Sequence, residues 1–180
     1  KLSLKVNATK SKVTKPTRLK YLGFGFVKMK GKWEARPHKD SINRFKRKLK
    51  KLTYRSWSVS MDYRILRLNQ VIRGWINYFR IGAMKVFMDK FGQWLRHKIR
   101  VILVKQWKKP ERIYKNLQKL NKVLPYNFTD EQIFAVANTR LGLYRQTGMR
   151  TVNFLLSADV LAIRKGERPG LVNPLAYYLR

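Results

Sequence analysis

Ile65-Leu-Arg-Leu-Asn-Gln-Val-Ile-Arg-Gly-Trp-Ile-Asn-Tyr-Phe79 is the stretch whose reading decides the fold. At about 100° per residue, Ile65, Leu68, Ile72, Trp75, Ile76 and Phe79 share one arc roughly 100° wide. Asn69, Arg73 and Arg80 flank that arc, Arg64 and Arg67 lie further round, and Gly74 sits near the back. One glycine costs a helix about 1 kcal/mol against alanine, and the good helical positions around Gly74 carry the segment past it. A helix with so much Trp, Ile and Phe on one stripe needs partners, and the chain supplies them on both sides.

Upstream, Asp40 or Ser41 caps a helix that carries Ile42, Phe45, Leu49 and Leu52 on one stripe and Arg44, Arg47 and Lys51 opposite. Downstream, Met84 to Trp107 places Met84, Phe87, Met88, Phe91, Trp94, Leu95, Ile99 and Ile102 on an apolar arc, with Arg96, His97 and Arg100 across from it. Three striped helices joined by short loops predict a three-helix bundle over residues 37–109. Before it, residues 1–36 alternate like strands: Leu2, Leu4 and Val6 share a face, and Tyr21–Val27, a Lys30-Gly-Lys32 turn and Trp33–Arg36 form a hairpin. Beyond Pro110, further helices are expected over 111–121, 130–140 (capped by Thr129) and 151–163, then a turn at Gly166–Gly170 and a hydrophobic end. The expected class is mainly α: a short N-terminal β-hairpin segment (1–36), the three-helix bundle (37–109) and C-terminal helices (110–180).

Charge points to the partner. Forty-two Lys plus Arg against 9 Asp plus Glu give +33. Solubility needs only a few units, and self-repulsion at this level opposes compaction. A polyanion is the simplest account, and nucleic acid is the commonest one. With 44% hydrophobic residues the chain can still bury a core, which excludes a disordered basic tail. No apolar run long enough to span a membrane is present, so no membrane partner is expected. Cysteine is absent, which removes disulfides, thiol nucleophiles and thiolate zinc sites together.

No catalytic constellation appears. The nine acids are scattered, Asp130-Glu131 suits the first turn of a helix, and His38 and His97 stand apart without ligand-spaced carboxylates. No catalytic residue and no metal ligand is expected. Trp75 and Trp94 lie on packing stripes and read as core. Trp33, Trp57 and Trp107 border basic segments and are the candidates for stacking on bases.

Five pieces in order carry a family likeness: Arg55-Ser-Trp-Ser-Val-Ser60, Leu68-Asn-Gln-Val-Ile-Arg-Gly-Trp-Ile-Asn-Tyr-Phe-Arg80, Trp94-Leu-Arg96, Lys105-Gln-Trp-Lys-Lys-Pro110 and Ala137-Asn-Thr-Arg140. Together they resemble the thumb, or maturase-specific domain, of group II intron reverse transcriptases. Upstream, Leu4–Val13 and Tyr21-Leu-Gly-Phe-Gly-Phe26 resemble the last two sequence blocks of that family's palm. The resemblance implies that Lys10 lies near the incoming nucleotide's phosphates and that Leu22, Gly23 and Phe24 belong to a hairpin gripping the primer end. It makes the bundle a thumb that meets group II intron RNA and the template–primer duplex, and it admits DNA and a homodimer as further partners.

The basic residues expected to meet nucleic acid are Arg44, Arg47, Lys51, Arg64, Arg67, Arg73, Arg80, Arg96, Arg100, Lys105, Lys108 and Lys109. The family's Tyr-x-Asp-Asp turn and earlier palm aspartate are absent from these 180 residues. Polymerisation by this chain alone is therefore not expected, and the chain reads as a piece of a longer polypeptide. No cofactor is expected on it; magnesium belongs to the parent's palm. The competing reading is a stand-alone basic splicing factor or RNA chaperone without polymerase activity. A bacterial cytoplasm is the implied setting, with an organelle as the other.

Overall fold

A computed structural model describes residues 13–163 and 169–180. The strand expected at Leu2–Val6, Lys10, and the Gly166–Arg168 part of the expected turn lie outside the described residues. After a short 3-10 turn at Pro16–Arg18, β1 (Phe24–Met29) and β2 (Lys32–Pro37) pair antiparallel, with Phe24 opposite Pro37 and Met29 opposite Lys32. Lys30 and Gly31 connect them with φ of +47° and +80°, the two positive values that a tight hairpin turn matching strand twist requires.

Three long helices follow: α1 (Lys39–Leu52), α2 (Met61–Phe79) and α3 (Lys85–Trp107). Neither expected residue caps α1. His38 does so, its Nδ1 accepting from the Asp40 N–H at 3.2 Å. Both candidates are engaged elsewhere: Asp40 pairs with Lys20 at 2.8 Å, and buried Ser41 donates to the Gly23 carbonyl at 2.9 Å. Ser60 caps α2 by accepting from the Tyr63 N–H. The stripes meet as their spacing predicts. Phe45 and Leu49 of α1, Leu68, Ile72, Ile76 and Phe79 of α2, and Met88, Phe91, Leu95 and Ile99 of α3 form one core, closed at the hairpin end by Phe24.

The far end of α3 enters a second core. Val104 joins Ile113 and Leu117 of α4 (Pro110–Val123), Ile133, Val136 and Ala137 of α5 (Asp130–Ala137), and Val152 and Leu155 of α7 (Arg150–Leu155). The expected helix over 151–163 is instead divided, because Ser157 accepts from the Val160 N–H and opens α8 (Ala158–Ala162). A short α6 (Leu143–Gln146) precedes it. The chain then returns to the first core: Leu171 is buried there, and α9 (Pro174–Tyr178) packs against both α2 and α3. Buried Asn69 fastens this return. Its Nδ2 donates to the Gly170 carbonyl at 2.7 Å and its Oδ1 accepts from the Val172 N–H at 2.9 Å.

Candidate nucleic-acid interface

An open groove of about 730 Å³ runs between α1 and α2 and ends at the turn preceding β1. Arg44 and Lys48 of α1 face Arg67 and Gln70 of α2 across it, while Val71, Trp75, Tyr78 and Phe79 form its apolar floor. Gly74 also lines the groove, and a Cβ there would meet nothing within 4 Å. The glycine is therefore not required by packing inside the chain; it widens the channel.

The end wall is Leu22-Gly23. Gly23 has φ +81°, a conformation that favours glycine. Its carbonyl accepts from the His38 N–H at 2.8 Å and from the Ser41 hydroxyl. The Tyr78 hydroxyl donates to the Leu22 carbonyl at 2.9 Å. With its backbone fixed to α1 and α2, Leu22 projects with 65% of its surface exposed. Phe24 is buried, packed edge-on against Phe79 with ring centroids 4.9 Å apart. It anchors the turn from below and does not face the groove.

The electrostatics of this face are single-signed. Arg47 and Lys51 continue the exposed cations of α1 beyond Arg44 and Lys48. The sole acid of α1, Asp40, is hydrogen-bonded and ion-paired to Lys20, which holds its carboxyl below the ordinary value. Among the described residues, no carboxylate lines the groove.

Two residues expected on the nucleic-acid face are buried, and the expectation is corrected for both. Arg64 is 1% exposed. Its guanidinium donates to the carbonyls of Leu52 (2.6 Å), Tyr54 (3.1 Å) and Trp57 (2.5 Å), which fixes the α1–α2 loop. Burial lowers its pKa. Arg100 is 7% exposed; its Nε donates to the Leu156 carbonyl at 2.8 Å, and its terminal nitrogens reach the side chain and carbonyl of Asn153. Burial, with Arg96 adding like charge, pushes its pKa down to about 10. Arg100 thus pins α7 to α3.

The remaining cations fall in three places. Arg73 and Arg80 are exposed on another side of α2, each against the ring of Tyr177 at 5.7 and 5.5 Å. Arg96 is half-buried beside the returning C-terminal segment. Lys105, Lys108 and Lys109 are exposed at the end of α3. Of the tryptophans, Trp75 is half-buried and stacks on Phe45, and Trp94 is half-buried against the first core. Trp33 is half exposed on β2, Trp57 has Arg64 over its ring at 4.9 Å, and Trp107 packs against the second core. Lys48, Gln70 and Tyr78 were not singled out by spacing. Tyr78 lies outside one edge of the α2 stripe and Gln70 nearly opposite it, positions from which helical angle alone does not reveal a groove.

No helix among the described residues is long and apolar enough to cross a membrane. No curated protein matches the chain. Residues 42–121, from the first turn of α1 to the last turn of α4, match the family model described as the group II intron, maturase-specific domain.

Proposed function

We propose that this chain is the maturase and thumb portion of a group II intron reverse transcriptase, gripping intron RNA during splicing and the template–primer during RNA-directed DNA synthesis. The observation that carries the reading is the coincidence of two features. The segment matching the maturase-specific domain supplies both helical walls of a groove with cationic rims and an aromatic floor. Arg44, Lys48 and Arg67 engage backbone phosphates, while the apolar floor lies against riboses and base edges. Such a surface reads the shape and phosphates of A-form RNA more than its sequence. Leu22, held by its fixed backbone, abuts the end of the bound strand.

The described residues contain no group of three or more His, Asp or Glu that could hold a metal ion; in this reading the carboxylates and magnesium of polymerisation belong to a palm elsewhere in a parent polypeptide.

The test is binding of the chain to a structured group II intron RNA over a range of salt, followed by a splicing assay. Arg44→Gln, Lys48→Gln and Arg67→Gln combined should weaken binding and slow splicing while the chain stays folded. Wild-type affinity in the folded triple variant overturns the placement of RNA in this groove. Acceleration of strand annealing in unrelated RNAs with no stimulation of intron splicing would favour the stand-alone RNA-chaperone reading.

A further inference from the structure

We propose a second site, for closely spaced phosphates, in the cavity where the α1–α2 loop meets α3 and α6. The cavity measures about 590 Å³, within the range of small-ligand sites. Lys50, Arg55, Lys98 and Lys105 line it together with Tyr54 and Tyr144, above a base that includes buried Thr53 and Val101. It shares no residue with the groove between α1 and α2. Among the described residues, no carboxylate lines it.

Four like charges around one cavity repel one another, and an anion relieves that repulsion. One phosphate carries at most about two negative charges, too few to balance four cations. The ligand this cavity fits therefore brings two or more phosphates together. A sharply turned RNA backbone does so, and so does a polyphosphate terminus. The two tyrosines, 66% and 60% exposed, offer faces to the attached sugars or bases.

The walls are built before any ligand arrives. Arg64 fixes the loop that carries Tyr54 and Arg55 through three carbonyls. The Lys105 ammonium donates to the Arg55 carbonyl at 3.3 Å, joining that loop to α3. Tyr144 is positioned from α3, with its ring 4.2 Å from that of His97 and the Lys98 ammonium 5.6 Å from its centre. A fixed cavity loses less entropy on binding than a set of free surface lysines.

The proposal rests on the RNA-binding reading only for the source of the phosphates, so its primary probe is inorganic tripolyphosphate. Calorimetry at constant ionic strength compares the wild-type chain with Arg55→Gln/Lys98→Gln, with Lys50→Gln/Lys105→Gln, and with Lys115→Gln/Lys119→Gln, a charge-matched control on exposed positions of α4. Wild type and control should bind alike, and both cavity variants should bind about tenfold more weakly or worse. Equal weakening in all three variants, unchanged binding in the cavity variants, or no binding to the wild type overturns the site.

Short RNAs then identify the source by displacement. Displacement by a 5′-hydroxyl oligonucleotide assigns the cavity to folded backbone, and displacement only by a 5′-triphosphate oligonucleotide assigns it to a terminus. Displacement by neither overturns the assignment to RNA. Failure of the chain to bind intron RNA would leave the tripolyphosphate result standing, so the two readings fail separately.

Discussion

The indole of Trp75 lies nearly flat on the ring of Phe45, with centroids 4.4 Å apart and planes 16° apart. The pair joins α2 to α1, and both residues also line the groove. Trp75 further contacts Phe79 and Phe87 at 4.6 and 5.7 Å between centroids. It therefore serves packing and surface at once. Trp75→Ala should cost on the order of 2–4 kcal/mol, less than a fully buried tryptophan because the ring is half-buried. Trp75→Phe should recover most of that loss. Urea titration of the two variants checks it, and a near-normal midpoint for the alanine variant would show that the stack contributes little.

Arginines of this chain divide by what their guanidinium meets, and salt dependence separates them. Arg64→Leu removes the donors for the carbonyls of Leu52, Tyr54 and Trp57 and should destabilise the fold by about 3 kcal/mol or more. Its salt slope for RNA binding, measured below the unfolding range, should fall by no more than about one phosphate contact, that of Arg55 on the loop Arg64 fixes. Arg44→Gln, Arg47→Gln and Lys51→Gln combined should do the reverse. Stability should hold, while the slope of log affinity against log salt falls by about 0.7–0.9 for each lost phosphate contact. An unchanged slope in the triple variant would remove the α1 face from the interface.

This division marks where the sequence stops being legible. The stripes of α1, α2 and α3 are local and periodic, so their shared core follows from spacing. Arg64, expected with Arg67 on the outer side of α2, lies only about 20° beyond the edge of the arc; it is buried and Arg67 is exposed. The acceptors for Arg64 lie on an irregular loop, and no period reports the path of its carbonyls. Arg100 likewise depends on Asn153, 53 residues away and beyond three helices. The groove was half legible. Its cations could be read as an outer face and Leu22-Gly23 by resemblance, but their meeting at one end of the groove is a tertiary fact. The cavity above α3 was not legible, since its cations come from α1, a loop and α3.

Asn69 gives the long-range clasp a direct test. Both of its side-chain polar groups are spent on the backbone of residues 170–172, and the residue is 6% exposed. Asn69→Leu would leave a carbonyl and an amide without those partners, at a cost of about 2–4 kcal/mol. The loss should be felt first in the returning segment. Hydrogen exchange should show the Val172 amide losing protection together with α9, before the interior of α2 opens. Unaltered protection across 169–180 would mean that α9 is held without Asn69, by its packing and its bonds to Arg80 and Gly82.

His97 sets an acid limit on stability. Its Nε2 is buried and has no hydrogen-bond partner among the described residues, and its ring lies against Tyr144. Burial lowers its pKa below the ordinary 6.5; Arg100 and Lys98 lower it further, and a backbone hydrogen bond at Tyr144 opposes them in part. The unfolded chain therefore takes up the proton first as the pH falls. The stabilisation is fully present above 6.5 and is lost as the pH falls through the lower folded value. His97→Gln removes this titration. Between about pH 7.5 and about pH 5.5, above the range where most carboxylates titrate, the wild-type urea midpoint should drop more than that of the variant. Parallel midpoints across that window would place the His97 imidazole in contact with water in the folded chain.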